Sequence, residues 1–93
     1  MVPKIKIAFD IDGTLIDIVG DSPRYDIINM LLNFSKSTYN TEIYIWSGGG
    51  LDYAERWKYK LGLPGKVIEK GSIPVDIAFN DELVTLGKVN IQV

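Results

Sequence analysis

The 93-residue chain contains no cysteine and no histidine. Without cysteine there is no disulfide, no thiolate nucleophile and no cysteine-ligated zinc. Without histidine, Ser-His and Cys-His nucleophile pairs and the common His-ligated metal centres are excluded. Acid/base chemistry is left to carboxylates, lysine or tyrosine, and any metal should be a hard, oxygen-preferring one. No apolar run reaches the ~18–20 residues of a membrane span, and no signal-peptide pattern opens the sequence. No membrane association is expected, and cytoplasmic residence is the default. Basic runs are missing as well. With 10 Lys and Arg against 12 Asp and Glu, the net charge of −2 argues against sequence-independent nucleic-acid binding.

What is present is the composition of a globular chain: 46% apolar and 24% charged residues, enough for one domain over residues 1–93. A domain of this size buries only roughly 60–65% of its unfolded surface, so a metal or partner would add stability that the core alone supplies sparingly. Lys4 to Phe9 reads as a strand, alternating and then continuously apolar. Ser22-Pro23 predicts a helix start, with Ser as N-cap and Pro at the first helical position. Ile27, Ile28, Leu31, Leu32 and Phe34 give that helix an apolar stripe that runs out near Tyr39-Asn40.

Glu42 to Trp46 predicts a second strand. Ser47-Gly48-Gly49-Gly50 follows, and then a helix from about Leu51 to Leu61, stopped by Gly62 and Pro64. Lys66 to Ile68, Val75 to Asn80 and Lys88 to Val93 are three further strands. This βαβ series predicts an α/β fold with a mostly parallel sheet and helices on both faces, a three-layer Rossmann-like arrangement. The seven residues from Asp81 to Gly87 are short for a parallel crossover, which needs roughly ten to twelve. The last strand is therefore expected either as an antiparallel edge or after a single helical turn.

The first strand ends in Phe9-Asp10-Ile11-Asp12-Gly13-Thr14-Leu15. Side chains two apart on a strand point to the same face, so Asp10 and Asp12 are expected to project together at its carboxyl end. Two neighbouring acids do nothing for a core; such pairs hold a cation or divide nucleophile and acid/base roles. An ordinary Asp-Gly turn accounts for Asp12 but leaves Asp10 without a purpose.

Ligands of parallel sheets bind outside the carboxyl ends of the strands. Besides Asp10 and Asp12, those ends carry Ser47 and Asn80-Asp81-Glu82, with Lys70 in the loop before the fourth strand. Acids, a hydroxyl and a lysine at one crevice are suited to phosphoryl transfer with a divalent cation. Mg²⁺ and Lys70 would offset the repulsion between a carboxylate and an anionic phosphate. Backbone amides of Gly48 to Gly50 would add donors at a helix start, and the Thr14 and Ser47 hydroxyls would position the bound group. Trp57, with Ala54 and Leu61, reads as core rather than as a base-stacking platform, and Tyr53 as an edge of the site or of the surface.

These motifs together resemble the haloacid dehalogenase superfamily of phosphohydrolases. The D-x-D-G-T motif with a following apolar residue is met by Asp10 to Leu15. The apolar strand ending in Ser or Thr is met by Ile43 to Ser47. A lysine and then an apolar strand ending in acids are met by Lys70 and Val75 to Glu82. The resemblance implies that Asp10 is the nucleophile that becomes an aspartyl-phosphate. It makes Asp12 the acid/base, with its backbone carbonyl on the metal, and Asp81 the residue that completes the Mg²⁺ site with Asp10. Lys70 fits the family spacing better than Lys66. Asn80 stands where family members often have an acid or glycine, and its contribution would pass through a water.

Only 31 residues separate Leu15 from Ser47, and 22 separate Ser47 from Lys70, so neither gap holds an inserted cap domain. By the resemblance, a capless site favours a bulky or macromolecular phosphorylated substrate, or closure by another subunit in a homo-oligomer. The reading from a different class is a non-catalytic phosphate-binding or regulatory domain that keeps the same scaffold.

Overall fold

Alternating apolar segments and turn residues build five strands and two helices in the computed structural model, which describes residues 3–36 and 40–93. In chain order they are β1 (Ile5–Asp10), α1 (Tyr25–Ser35), β2 (Thr41–Trp46), α2 (Leu51–Leu61), β3 (Lys66–Val67), β4 (Val75–Asn80) and β5 (Gly87–Gln92). The sheet runs β3-β2-β1-β4-β5, and every pairing in it is parallel. β1 is central, with Phe9 opposite Ile45 on one side and Phe79 on the other.

Both helices lie on one face of this sheet, not on two. Ile27, Ile28 and Leu31 of α1 and Ala54 of α2 share a single core with Ile7, Phe9, Ile43, Ile45 and Phe79. The physical reason is the direction of travel. β1 to β2 and β2 to β3 step the same way across the sheet, and right-handed crossovers then place both connecting helices on the same side. The connection from β3 to β4 steps back the other way and would cover the opposite face, but it contains no helix. Ile68, Ile73 and Leu86 from loops pack there instead, against Ala8, Tyr44, Trp46, Val75 and Ala78. The molecule is α/β with two layers of regular structure.

β5 is a parallel edge, not an antiparallel one. Residues 81–86 carry the chain back along β4 without a helical turn. Six residues in extended form reach roughly 20–22 Å, enough to span the ~17 Å of a six-residue strand. Asn90 braces the arrival: its Oδ1 accepts from the Leu86 and Gly87 amides at 2.8 and 2.9 Å, and its Nδ2 donates to the Gly87 carbonyl.

The first helix also begins later than the Ser22-Pro23 signal. Its N-cap is Arg24, with no side-chain cap. Pro23 instead bridges Ile16 in antiparallel fashion, and the Asp17 amide donates to the Ser22 carbonyl at 2.8 Å. Residues 16–23 thus fold back as a flap, turning at Gly20 and at Asp21, whose φ of 54° is left-handed. α1 closes at Ser35; the expected run-out towards Tyr39 falls on residues 37–39, outside the described residues. α2 matches its expected bounds and stops at Gly62 in the left-handed conformation that suits a C-cap.

Candidate active site

The strand order reverses direction at β1 and β4, and the carboxyl ends of two such strands frame the crevice where parallel sheets take ligands. Asp10 is the last residue of β1 and only 5% exposed. It pairs in register with Trp46, the last residue of β2, so Ser47 lies one residue beyond that strand's end. Asn80 follows Phe79, the partner of Phe9, and ends β4.

Lys70 lies in the helix-free loop between β3 and β4. Its Nζ stands 3.4 Å from Asp10 Oδ1, and both side chains are largely shielded from solvent. Lys66 belongs to β3, beside Tyr44. Burial is the main influence on Asp10 and raises its pKa from the ordinary 3.8. The Lys70 charge and the Ile11 amide oppose the shift, and the nearby Asp81 carboxylate adds to it.

Asp81 reaches this position because residue 13 is glycine. A Cβ on Gly13 would stand 2.6 Å from both Cβ and Cγ of Asp81, and Gly13 has a φ of +76°. The Gly13 carbonyl accepts from Arg24 Nη1 at 2.8 Å, which ties the loop to the start of α1.

Asp12 does not continue the strand. β1 stops at Asp10, and the amides of Leu15 and Ile16 both donate to the Ile11 carbonyl, closing a helical turn. The two-residue alternation therefore ends before Asp12. Its Oδ1 accepts from the Tyr53 hydroxyl at 2.7 Å, so the two acids have different partners. That hydrogen bond is the first cause of a raised Tyr53 pKa, from an ordinary 10.0.

Ser47 is buried, and its Oγ accepts from the Gly49 amide at 3.0 Å. The Gly49 amide is thereby engaged within the turn, and Gly48 is exposed. Thr14 is fully buried, with a hydroxyl that lacks a partner among the described residues. Asn80 Oδ1 accepts from the Glu82 amide at 3.1 Å, while its buried Nδ2 has no partner among those residues. An unmet buried donor costs about 1–3 kcal/mol, a cost that a bound ligand or water would offset.

No protein-family model, curated protein or solved structure matches this chain. Among the described residues, no three His, Cys, Asp or Glu side chains gather into a ready-made cation cage. The donor set does suit a cation that keeps most of its water. The Asp81 carboxylate adds a small upward push to the pKa of Asp10, and Mg²⁺ commonly takes one or two carboxylates plus substrate and water oxygens.

One contributor escaped the sequence reading, and a second was read only as an edge of the site or of the surface. Arg24 carries no pattern that points to the Gly13 carbonyl. Tyr53 sits in the first turn of the helix that leaves Ser47, so its neighbourhood was legible, but its bond to a residue 41 positions away was not.

Proposed function

We propose that this chain is a Mg²⁺-dependent phosphohydrolase of the haloacid dehalogenase type, cleaving phosphomonoesters through an aspartyl-phosphate on Asp10. The observation that carries the reading is the Asp10–Lys70 pair. A nearly buried carboxylate at a strand's carboxyl end faces an ammonium at 3.4 Å and feels a second acid, Asp81. A fold seeking stability alone would put an apolar residue there, because a buried charge pair seldom repays its desolvation.

Each residue then has a task. Asp10, stripped of most of its water, attacks phosphorus. Lys70 offsets charge on the phosphoryl oxygens as they approach. Asp12 gives a proton to the leaving oxygen and later takes one from the attacking water. Asp10, Asp81 and the Asp12 main-chain carbonyl are the groups that would hold Mg²⁺, which when bound supplies the positive charge an anionic nucleophile needs against an anionic phosphoryl group. The segments leaving β1 and β2 carry one helix each and no inserted domain, which favours a bulky or macromolecular phosphoester, or closure by a second subunit.

Hydrolysis of p-nitrophenyl phosphate should require Mg²⁺, fall to background on chelation and return when the ion is restored. Acid-quenched enzyme should carry phosphoryl mass on the peptide containing Asp10. Tight binding of Mg²⁺ and beryllofluoride without turnover of any ester would make the chain a non-catalytic phosphate-binding domain instead.

A further inference from the structure

Tyr53 reaches from the first turn of α2 to the loop after β1, and its hydroxyl donates to Asp12 Oδ1 at 2.7 Å. Short hydrogen bonds to a carboxylate are among the stronger ones and fix geometry. The path of the ring depends on Gly49. A Cβ there would stand 3.0 Å from Tyr53 Cδ2 and 3.1 Å from Cγ, tighter than ordinary contact. Of the three consecutive glycines, Gly50 has a φ of 99° and serves the backbone, whereas Gly49 has no left-handed φ. Gly49 makes room for the ring.

We propose that Tyr53 is a positioning residue for Asp12: its hydroxyl occupies Oδ1 and leaves Oδ2 as the oxygen that gives and takes the proton. This rests on the phosphohydrolase reading above. In the first half-reaction an Asp10 oxygen bonds to phosphorus as the bond to the ester oxygen breaks. That oxygen keeps the electron pair and takes the proton from Asp12 Oδ2. In the second, a water oxygen bonds to phosphorus and its proton passes to Asp12 Oδ2. The bond between Asp10 and phosphorus breaks, restoring the carboxylate and releasing inorganic phosphate. Tyr53 keeps its own proton throughout. Its contribution is orientation, since a carboxylate pinned at one oxygen need not search for the leaving group.

Proton donation matters when the leaving alkoxide is strongly basic and hardly at all when it is a stable phenolate. Tyr53→Phe removes only the hydroxyl. It should lower kcat/KM for glycerol phosphate about 10- to 100-fold and change kcat/KM for dinitrophenyl phosphate less than about threefold. Gly49→Ala, which displaces the ring but keeps the hydroxyl, should give the same split between the two esters. Equal losses on both esters, or no loss on either, would overturn the positioning role. Turnover of neither ester by the unmutated chain would instead remove the phosphohydrolase reading, and this role with it.

Discussion

Asp10→Asn should abolish turnover, by about 10⁴-fold or more, and should also make the protein more stable at neutral pH. Both effects come from the same burial. The carboxylate is 5% exposed, and desolvation is the main reason its pKa lies above 3.8. A group whose folded pKa is raised binds its proton more readily in the native state, so acid favours the fold. The stability contributed by protonated Asp10 is fully present below 3.8 and is lost as the pH rises through the raised folded value. At neutral pH the wild type therefore holds an unfavourable buried charge, and the amide variant does not. Lys70, 27% exposed, can turn to water when its partner is gone. Scanning calorimetry should find the variant melting higher at neutral pH, with the gap closing as the pH falls through the raised pKa towards 3.8. A variant that melts lower than wild type at neutral pH would contradict this account.

Gly13→Ala should damage stability and cation binding together. With φ at +76°, a side chain at this position costs about 1–2 kcal/mol from the left-handed backbone alone. The new Cβ would also overlap Asp81, 2.6 Å from its Cβ and Cγ. Because Cβ moves only with the main chain, the backbone at Asp81 would have to shift, taking its carboxylate off the Gly13 loop. The combined cost is expected at about 2–4 kcal/mol in urea unfolding. Mg²⁺ affinity, read by calorimetric titration, should fall about 10- to 100-fold. Gly48→Ala supplies the control, since a Cβ there meets nothing within 4 Å. A normal Mg²⁺ affinity in Gly13→Ala would mean that Asp81 is no part of the cation site.

The contrast between these two glycines shows what could be read from the sequence. Strands and helices driven by local apolar period were legible: α2 and β4 have their expected bounds, and the acids, the serine and the lysine stand at or beside the strand ends. Other features were not, and three of them show why, because each depends on contacts between distant segments. Ser22-Pro23 has the composition of a helix start, but the Ile16–Pro23 bridge draws it into the flap. The return from β4 to β5 looked too short for a parallel strand because crossover lengths assume a helix, which this one lacks. Asp12 was grouped with Asp10 by strand alternation, and the turn closed on the Ile11 carbonyl sends it to Tyr53 instead.

The central place of β1 also sets an order of events during folding. Ile7 pairs with Ile43 on one side and, 70 positions along the chain, with Ile77 on the other. Contacts of shorter span close first, so β1, α1, β2 and α2 can gather around their shared core before β4 docks. Asp10, the proposed nucleophile, would then belong to the early half of the molecule, while Lys70 and Asp81 come with the late half. In that order Asp10 would stand in a partly formed sheet before its counter-charge and its fellow acid arrive. After dilution from denaturant, turnover should return with the slowest refolding phase rather than with the first recovery of helix signal, making catalysis a report on the last strand pairing to form.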